Sequence, residues 1–73
     1  MNYRVQFESK AAKEFSKLSR EIQDRLADVI EDLAINPLPP AAKKLIQVEG
    51  YRVRKGDYRI LYTIDEKAKI VTI

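Results

Sequence analysis

An α+β fold with the element order β-α-α-β-β-β is what this sequence predicts. Three observations lead there. Apolar and polar residues alternate at the start of the chain and again over its last third, the period of half-buried strands. Between those regions apolar residues recur at helical spacing. A proline-rich stretch, Leu38-Pro39-Pro40-Ala41-Ala42, divides the helical part from the final strands. A chain of 73 residues has room for one sheet and one or two helices, since folding buries only about 60% of the surface of so short a chain.

Tyr3-Arg4-Val5-Gln6-Phe7 alternates and reads as the first strand. Ser9 offers the N-cap of a first helix whose apolar stripe is Ala12, Phe15 and Leu18. Ser19 breaks that helix and caps the next. In the second helix, over 20–35, Ile22, Leu26, Val29, Ile30 and Leu33 fall at i, i+4, i+7, i+8 and i+11. Glu21, Asp24, Arg25, Asp28, Glu31 and Asp32 occupy its other side. Asn36-Pro37 ends it, because the residue before proline is pushed out of the α region. The short connection at Ser19 makes the pair an antiparallel αα-hairpin. After the proline linker, Lys43-Lys44-Leu45 leads into a stretch ending at Gly50, to which no strand is assigned. Tyr51-Arg52-Val53-Arg54 alternates, and Lys55-Gly56-Asp57 supplies a turn. Tyr58 to Ile64 and Lys69 to Ile73 are strands separated by a turn at Asp65-Glu66-Lys67.

Composition narrows the chemistry. The chain has neither cysteine nor histidine. Disulfides, cysteine zinc sites and every nucleophile that relies on a histidine base are excluded. No cofactor and no metal are expected. No apolar run approaches the roughly 20 residues of a membrane span, and Met1 to Arg4 opens no signal-peptide core. The expectation is a soluble cytoplasmic protein with no membrane partner.

The net charge of +3 is unevenly spread. Residues 1–37 sum to −1 and residues 38–73 to +4. Between Lys43 and Arg59 there are six cations and only Glu49 and Asp57 as anions. Such a segment is the footprint of a polyanion site, or else a solvated basic face. Alternation sharpens the first reading. If Tyr51, Val53, Tyr58, Ile60, Tyr62 and Ile64 face the helices, then Arg52, Arg54 and Arg59 share the opposite face with Leu61 and Thr63. Guanidinium groups on neighbouring strands repel one another unless an anion bridges them. Phosphate suits them, because arginine binds its oxygens in a bidentate fork. Arg52, Arg54 and Arg59 are therefore the expected phosphate contacts. Lys43, Lys44 and Lys55 add positive charge in the same segment. Tyr51 and Tyr58 offer stacking surfaces, but alternation assigns them to the core.

Gly50-Tyr51-Arg52-Val53-Arg54, followed by Gly56-Asp57-Tyr58-Arg59-Ile60-Leu61-Tyr62, resembles the central hairpin of RelE/ParE superfamily toxins of type II toxin–antitoxin pairs. Lys44-Leu45, Phe15-Ser16-Lys17-Leu18 and the element order fit as well. The resemblance implies a small, twisted, mostly antiparallel sheet packed against the helical hairpin, with 1–73 as a single toxin domain. For RelE-like members it implies a metal-independent mRNA endonuclease, an mRNA interferase that enters the ribosomal A site and blocks translation. It implies a RelB-like antitoxin as partner. The cations of the motif correspond to Arg52, Arg54 and Arg59, which the resemblance makes the expected catalytic, transition-state contacts, with Lys43, Lys44 and Lys55 as the expected contacts to the RNA backbone. Family members usually continue past the last strand with a glycine, a basic residue and a tyrosine, whereas this sequence stops at Ile73 without that catalytic tail. Two further readings therefore stand beside the nuclease: a ParE-like inhibitor of DNA gyrase, and a catalytically degenerate member that only binds its antitoxin.

Overall fold

The structure, a computed structural model, describes residues 2–73. Its elements are β1 (Arg4–Gln6), α1 (Ser9–Ser16), α2 (Arg20–Ile35), β2 (Lys43–Lys44), β3 (Tyr51–Lys55), β4 (Tyr58–Asp65) and β5 (Ile70–Thr72). They form an α+β fold with one five-stranded mixed sheet in the order β1-β5-β4-β3-β2. The expected order holds, with one strand more. β2 pairs antiparallel with β3 through Lys43↔Arg52 and Lys44↔Tyr51. Two lysines carry no apolar alternation, so only the return of the chain at Gly50 creates this strand. The sheet is mostly antiparallel, as expected, with β1 alone running parallel to its neighbour β5.

α2 forms as its periodicity requires. Ser19 caps it, its hydroxyl accepting from the Ile22 amide at 3.3 Å. Asn36 leaves the helical region at φ −140° and ψ 98°, and its side chain accepts from the Leu38 amide to turn the chain. α1 departs from expectation in two details. Ser9 is the first helical residue; Glu8 is the N-cap and makes no side-chain capping bond. The inward stripe is Ala11, Phe15 and Leu18, while Ala12 is exposed. With two adjacent alanines, i, i+4, i+7 wins over i, i+3, i+6 because it keeps to one helix face. The two helices are tied where they meet, the Gln23 amide donating to the Phe15 carbonyl at 2.9 Å.

The core lies between α2 and one face of the sheet. Leu26, Ile30 and Leu33 of α2 pack against Val53, Ile60, Tyr62 and Val71, and all seven are buried. Tyr62 also anchors the end of α2, its hydroxyl donating to the Pro37 carbonyl at 2.7 Å. Burial, and then the neighbouring Tyr51 phenol, push the Tyr62 phenol above its ordinary range. Gly50 permits the approach of β3 to β4. It sits at φ +133°, and a Cβ there would lie 2.9 Å from the Tyr62 carbonyl oxygen. At the opposite edge Tyr3 donates to Glu66 at 2.5 Å, and Lys69 lies over the Tyr3 ring at 5.0 Å. The Tyr3 phenol is raised chiefly by that bond to Glu66. Asp65 closes the β4–β5 turn by accepting from the Lys67 and Ala68 amides. No helix among the described residues is long and apolar enough to cross a membrane.

Candidate nucleic-acid interface

The β3–β4 ladder decides which side chains meet. A two-residue turn, Gly56-Asp57, joins the strands, with Gly56 at φ +59°. A positive φ at the first turn residue alone is the pattern of a type II′ turn, whose twist suits a hairpin. The register is Tyr51↔Tyr62, Arg52↔Leu61, Val53↔Ile60, Arg54↔Arg59 and Lys55↔Tyr58. Directly opposite residues share a face. Val53, Ile60 and Tyr62 are buried towards α2. Arg52, Arg54, Arg59 and Leu61 consequently lie on the outer face, which no helix covers.

The same register sorts the lysines. Lys43 is opposite Arg52 and joins the arginines. Lys44 is opposite Tyr51 and Lys55 opposite Tyr58, so both belong to the helix-facing side of the sheet. The three lysines are thus divided between the two sides of the sheet, and sequence reasoning could not separate them without knowing that β2 exists. It also assigned no role to Leu61, which is 50% exposed in the middle of the cations. The signal was present, because alternation put Leu61 beside Arg59, and an apolar side chain on a charged face is informative.

The tyrosines part company. Tyr51 is half-buried and packs on Tyr62 with ring centroids 5.9 Å apart. Tyr58, expected in the core, is 38% exposed. Among the described residues β5 pairs with β4 at Thr63, Ile64 and Asp65, and Tyr58 lies five residues before that ladder. There Tyr58 lines a groove of about 500 Å³ between α1 and β4.

The electrostatics of the outer face are one-sided. Arg54 and Arg59 are Cα partners, with an expected Cβ separation of about 4.5–5.5 Å. Like charges directly opposite each other on a ladder are unfavourable. Among the described residues none of Arg52, Arg54, Arg59 and Lys43 has an ion pair, and none donates a side-chain hydrogen bond. Five anions, Glu21, Asp24, Asp28, Glu31 and Asp32, are exposed on α2, across the sheet from the arginines, while Asp57 lies in the turn that joins β3 and β4. Two of them are used in i, i+4 pairs, Glu21 with Arg25 at 2.8 Å and Asp24 with Arg20 at 3.6 Å. An anion approaching the outer face meets four cations and relieves their repulsion. A guanidinium offers five donors and no acceptor, a set suited to the oxygens of an anion.

Comparison with known proteins bears on this arrangement. The family model for the ParE toxin of type II toxin–antitoxin systems matches residues 3–73. A putative RelE-like toxin protein of Escherichia coli is 29% identical over 75 residues, spanning 100% of this chain and 79% of that protein. Among solved structures, the RelBE2 toxin–antitoxin complex of Mycobacterium tuberculosis has a chain of the same fold. It superposes with a TM-score of 0.89 at 30% identity, over 100% of this chain and 93% of that one. The archaeal RelE–RelB complex of Pyrococcus horikoshii OT3 gives a TM-score of 0.82 at 26% identity, over 100% and 90% of the two chains.

Proposed function

The chain belongs to the ParE toxin family of type II toxin–antitoxin systems, and from that premise we propose that it is a toxin that cleaves mRNA on the ribosome and is silenced by a RelB-like antitoxin. The observation that carries the proposal is the pairing of Arg54 with Arg59, beside Arg52 and Lys43, on the uncovered face of the sheet. Cleavage proceeds by in-line attack of the RNA's own 2′-hydroxyl on the adjacent phosphorus: its proton passes to solvent water, the O2′–P bond forms to give a 2′,3′-cyclic phosphate, and the P–O5′ bond breaks as the 5′-oxygen takes a proton from water. The phosphorane carries more negative charge than the starting diester. Arginines carried side by side on the hairpin meet that charge with donors aimed from one face. Arg54 and Arg59 grip the non-bridging oxygens. Arg52 and Lys43, one row along, hold the neighbouring phosphate, and Leu61 offers an apolar seat for a base between the rows. Ribosomes place the action in the cytoplasm.

In a translation extract with one defined mRNA, the protein is expected to yield discrete cuts at ribosome-occupied codons. Arg54→Ala and Arg59→Ala are each expected to slow cutting by about 10²-fold, the usual effect of removing one transition-state donor. Full cutting by both variants rejects the site. The match to the ParE model favours a second reading, inhibition of DNA gyrase. Intact mRNA together with lost supercoiling activity selects it.

A further inference from the structure

The outer face of the sheet continues beyond the arginines. Thr63 lies opposite Thr72, and Thr72 opposite Gln6. Their sequence neighbours Ile64, Val71 and Val5 pack into the core, so the three polar side chains share the outward face with Arg59 and Leu61. Side-chain rows on one face of a strand are two residues apart, roughly 6.6 Å. Three rows therefore succeed one another from the hairpin tip. The first is Arg54 with Arg59, the second Lys43 and Arg52 with Leu61, and the third Thr63, Thr72 and Gln6.

The third row differs in kind from the other two, because it carries no charge. The Gln6 side-chain nitrogen donates to the Thr72 hydroxyl at 3.1 Å. That bond uses one amide N–H and leaves the second N–H and the amide carbonyl without a side-chain partner among the described residues. Thr63 is exposed beside this pair. Arg4, the next outward residue of β1, lies one row further still. Towards β3 the surroundings turn acidic: Glu49, Asp65 and Glu66 outnumber Lys67 around a depression of about 530 Å³ that includes Thr63 and Thr72. A phosphate is repelled there, whereas a neutral group able to hydrogen-bond is not.

We propose that Thr63, Thr72 and Gln6 form a subsite for an unpaired nucleobase, belonging to a nucleotide next to the one seated on Leu61. The free edge of the Gln6 amide sets one donor beside one acceptor. Every RNA base that lacks a Watson–Crick partner exposes a complementary pair on its pairing edge. The subsite therefore selects an unpaired strand and not a particular base. Gln6 and Thr63 touch the base, and Thr72 is a positioning residue that holds the amide and lowers the cost of ordering it on binding. The inference rests on the arginine face being an RNA site and deepens it: phosphates meet the first two rows and a base edge meets the third.

The test measures binding of the full chain to octauridine over a series of salt concentrations. The same strand made of N3-methyluridine, whose pairing edge is blocked, is measured alongside. Gln6→Ala is expected to weaken octauridine binding about fivefold at every salt concentration, and to weaken the methylated strand far less. The slope of log affinity against log salt should match that of the parent, because no phosphate contact is lost. Thr72→Val keeps the side-chain shape and removes the hydroxyl; it should show part of the same loss, again only where the pairing edge is free. Equal weakening of the two strands by Gln6→Ala overturns the proposal, as does no weakening of either. So does a slope reduced by about 0.7, which makes this row one more phosphate contact. Failure of the underlying reading looks different: Arg54→Ala then leaves the slope unchanged, and the subsite falls with it.

Discussion

The two faces of the β3–β4 hairpin are built from the same ten or so residues and differ in everything else. Towards α2, Val53, Ile60 and Tyr62 are 6%, 5% and 2% exposed. One residue along each strand, Arg54 and Arg59 are exposed and repel each other. A period of two lets neighbours in sequence serve opposite ends, stability on one side and anion binding on the other. The difference teaches that residue number is a poor guide to consequence here, and that adjacent substitutions should separate cleanly.

Arg59 and Ile60 are the sharpest such neighbours. Ile60→Ala is expected to cost about 2–5 kcal/mol of unfolding free energy, because it empties a packed core position; chemical denaturation measures it. Gly50→Ala comes next. It forces an alanine to φ +133° with its Cβ against the Tyr62 carbonyl, and the strain should cost about 1–3 kcal/mol in the same assay. A Gly50→Ala chain as stable as the parent would mean that the close β3–β4 approach is not needed.

Tyr62→Phe removes the buried bond to the Pro37 carbonyl and should cost about 1 kcal/mol at neutral pH. It should also change the alkaline limb of the stability profile. Because the Tyr62 phenol is raised in the fold, the folded chain holds that proton more tightly than the unfolded one. Its contribution is complete below the ordinary phenol value and is lost as pH climbs through the raised one. Tyr62→Phe should flatten that loss in denaturation curves collected at increasing pH. The smallest effect on stability belongs to the outer face. Arg54→Ala should shift unfolding by less than about 0.5 kcal/mol, and upwards, since it relieves repulsion from Arg59. A large destabilisation would show that the two faces are not separable.

Much of this was legible because local rules and tertiary packing agree. Ser19, the Ile22–Leu33 periodicity and Asn36-Pro37 define α2 by capping, one apolar stripe and steric exclusion. Alternation around Gly56 defines the hairpin and places Arg52, Arg54 and Arg59 together. What escaped depends on partners distant in sequence. Lys43–Lys44 becomes a strand only through β3, and that pairing sends Lys43 to the arginine face and Lys44 to the other. β1 lies beside β5 through a parallel ladder that no short-range signal announces. Tyr58 has the alternation of a core residue, yet among the described residues it lines a groove beside α1 and is 38% exposed. Ser9 had the chemistry of a cap, but the helix begins one residue earlier than that role needs.

The central claim is that Lys43, Arg52, Arg54 and Arg59 form one anion site on one face. The salt dependence of binding to a short single-stranded RNA tests it most directly. Each phosphate contact contributes about −0.7 to the slope of log affinity against log salt. Lys43→Ala, Arg54→Ala and Arg59→Ala are each expected to reduce the slope by about that amount, and Lys44→Ala and Lys55→Ala to leave it unchanged. Equal losses from Lys44→Ala and Arg54→Ala would mean that RNA ignores the division between the faces, and would contradict the account.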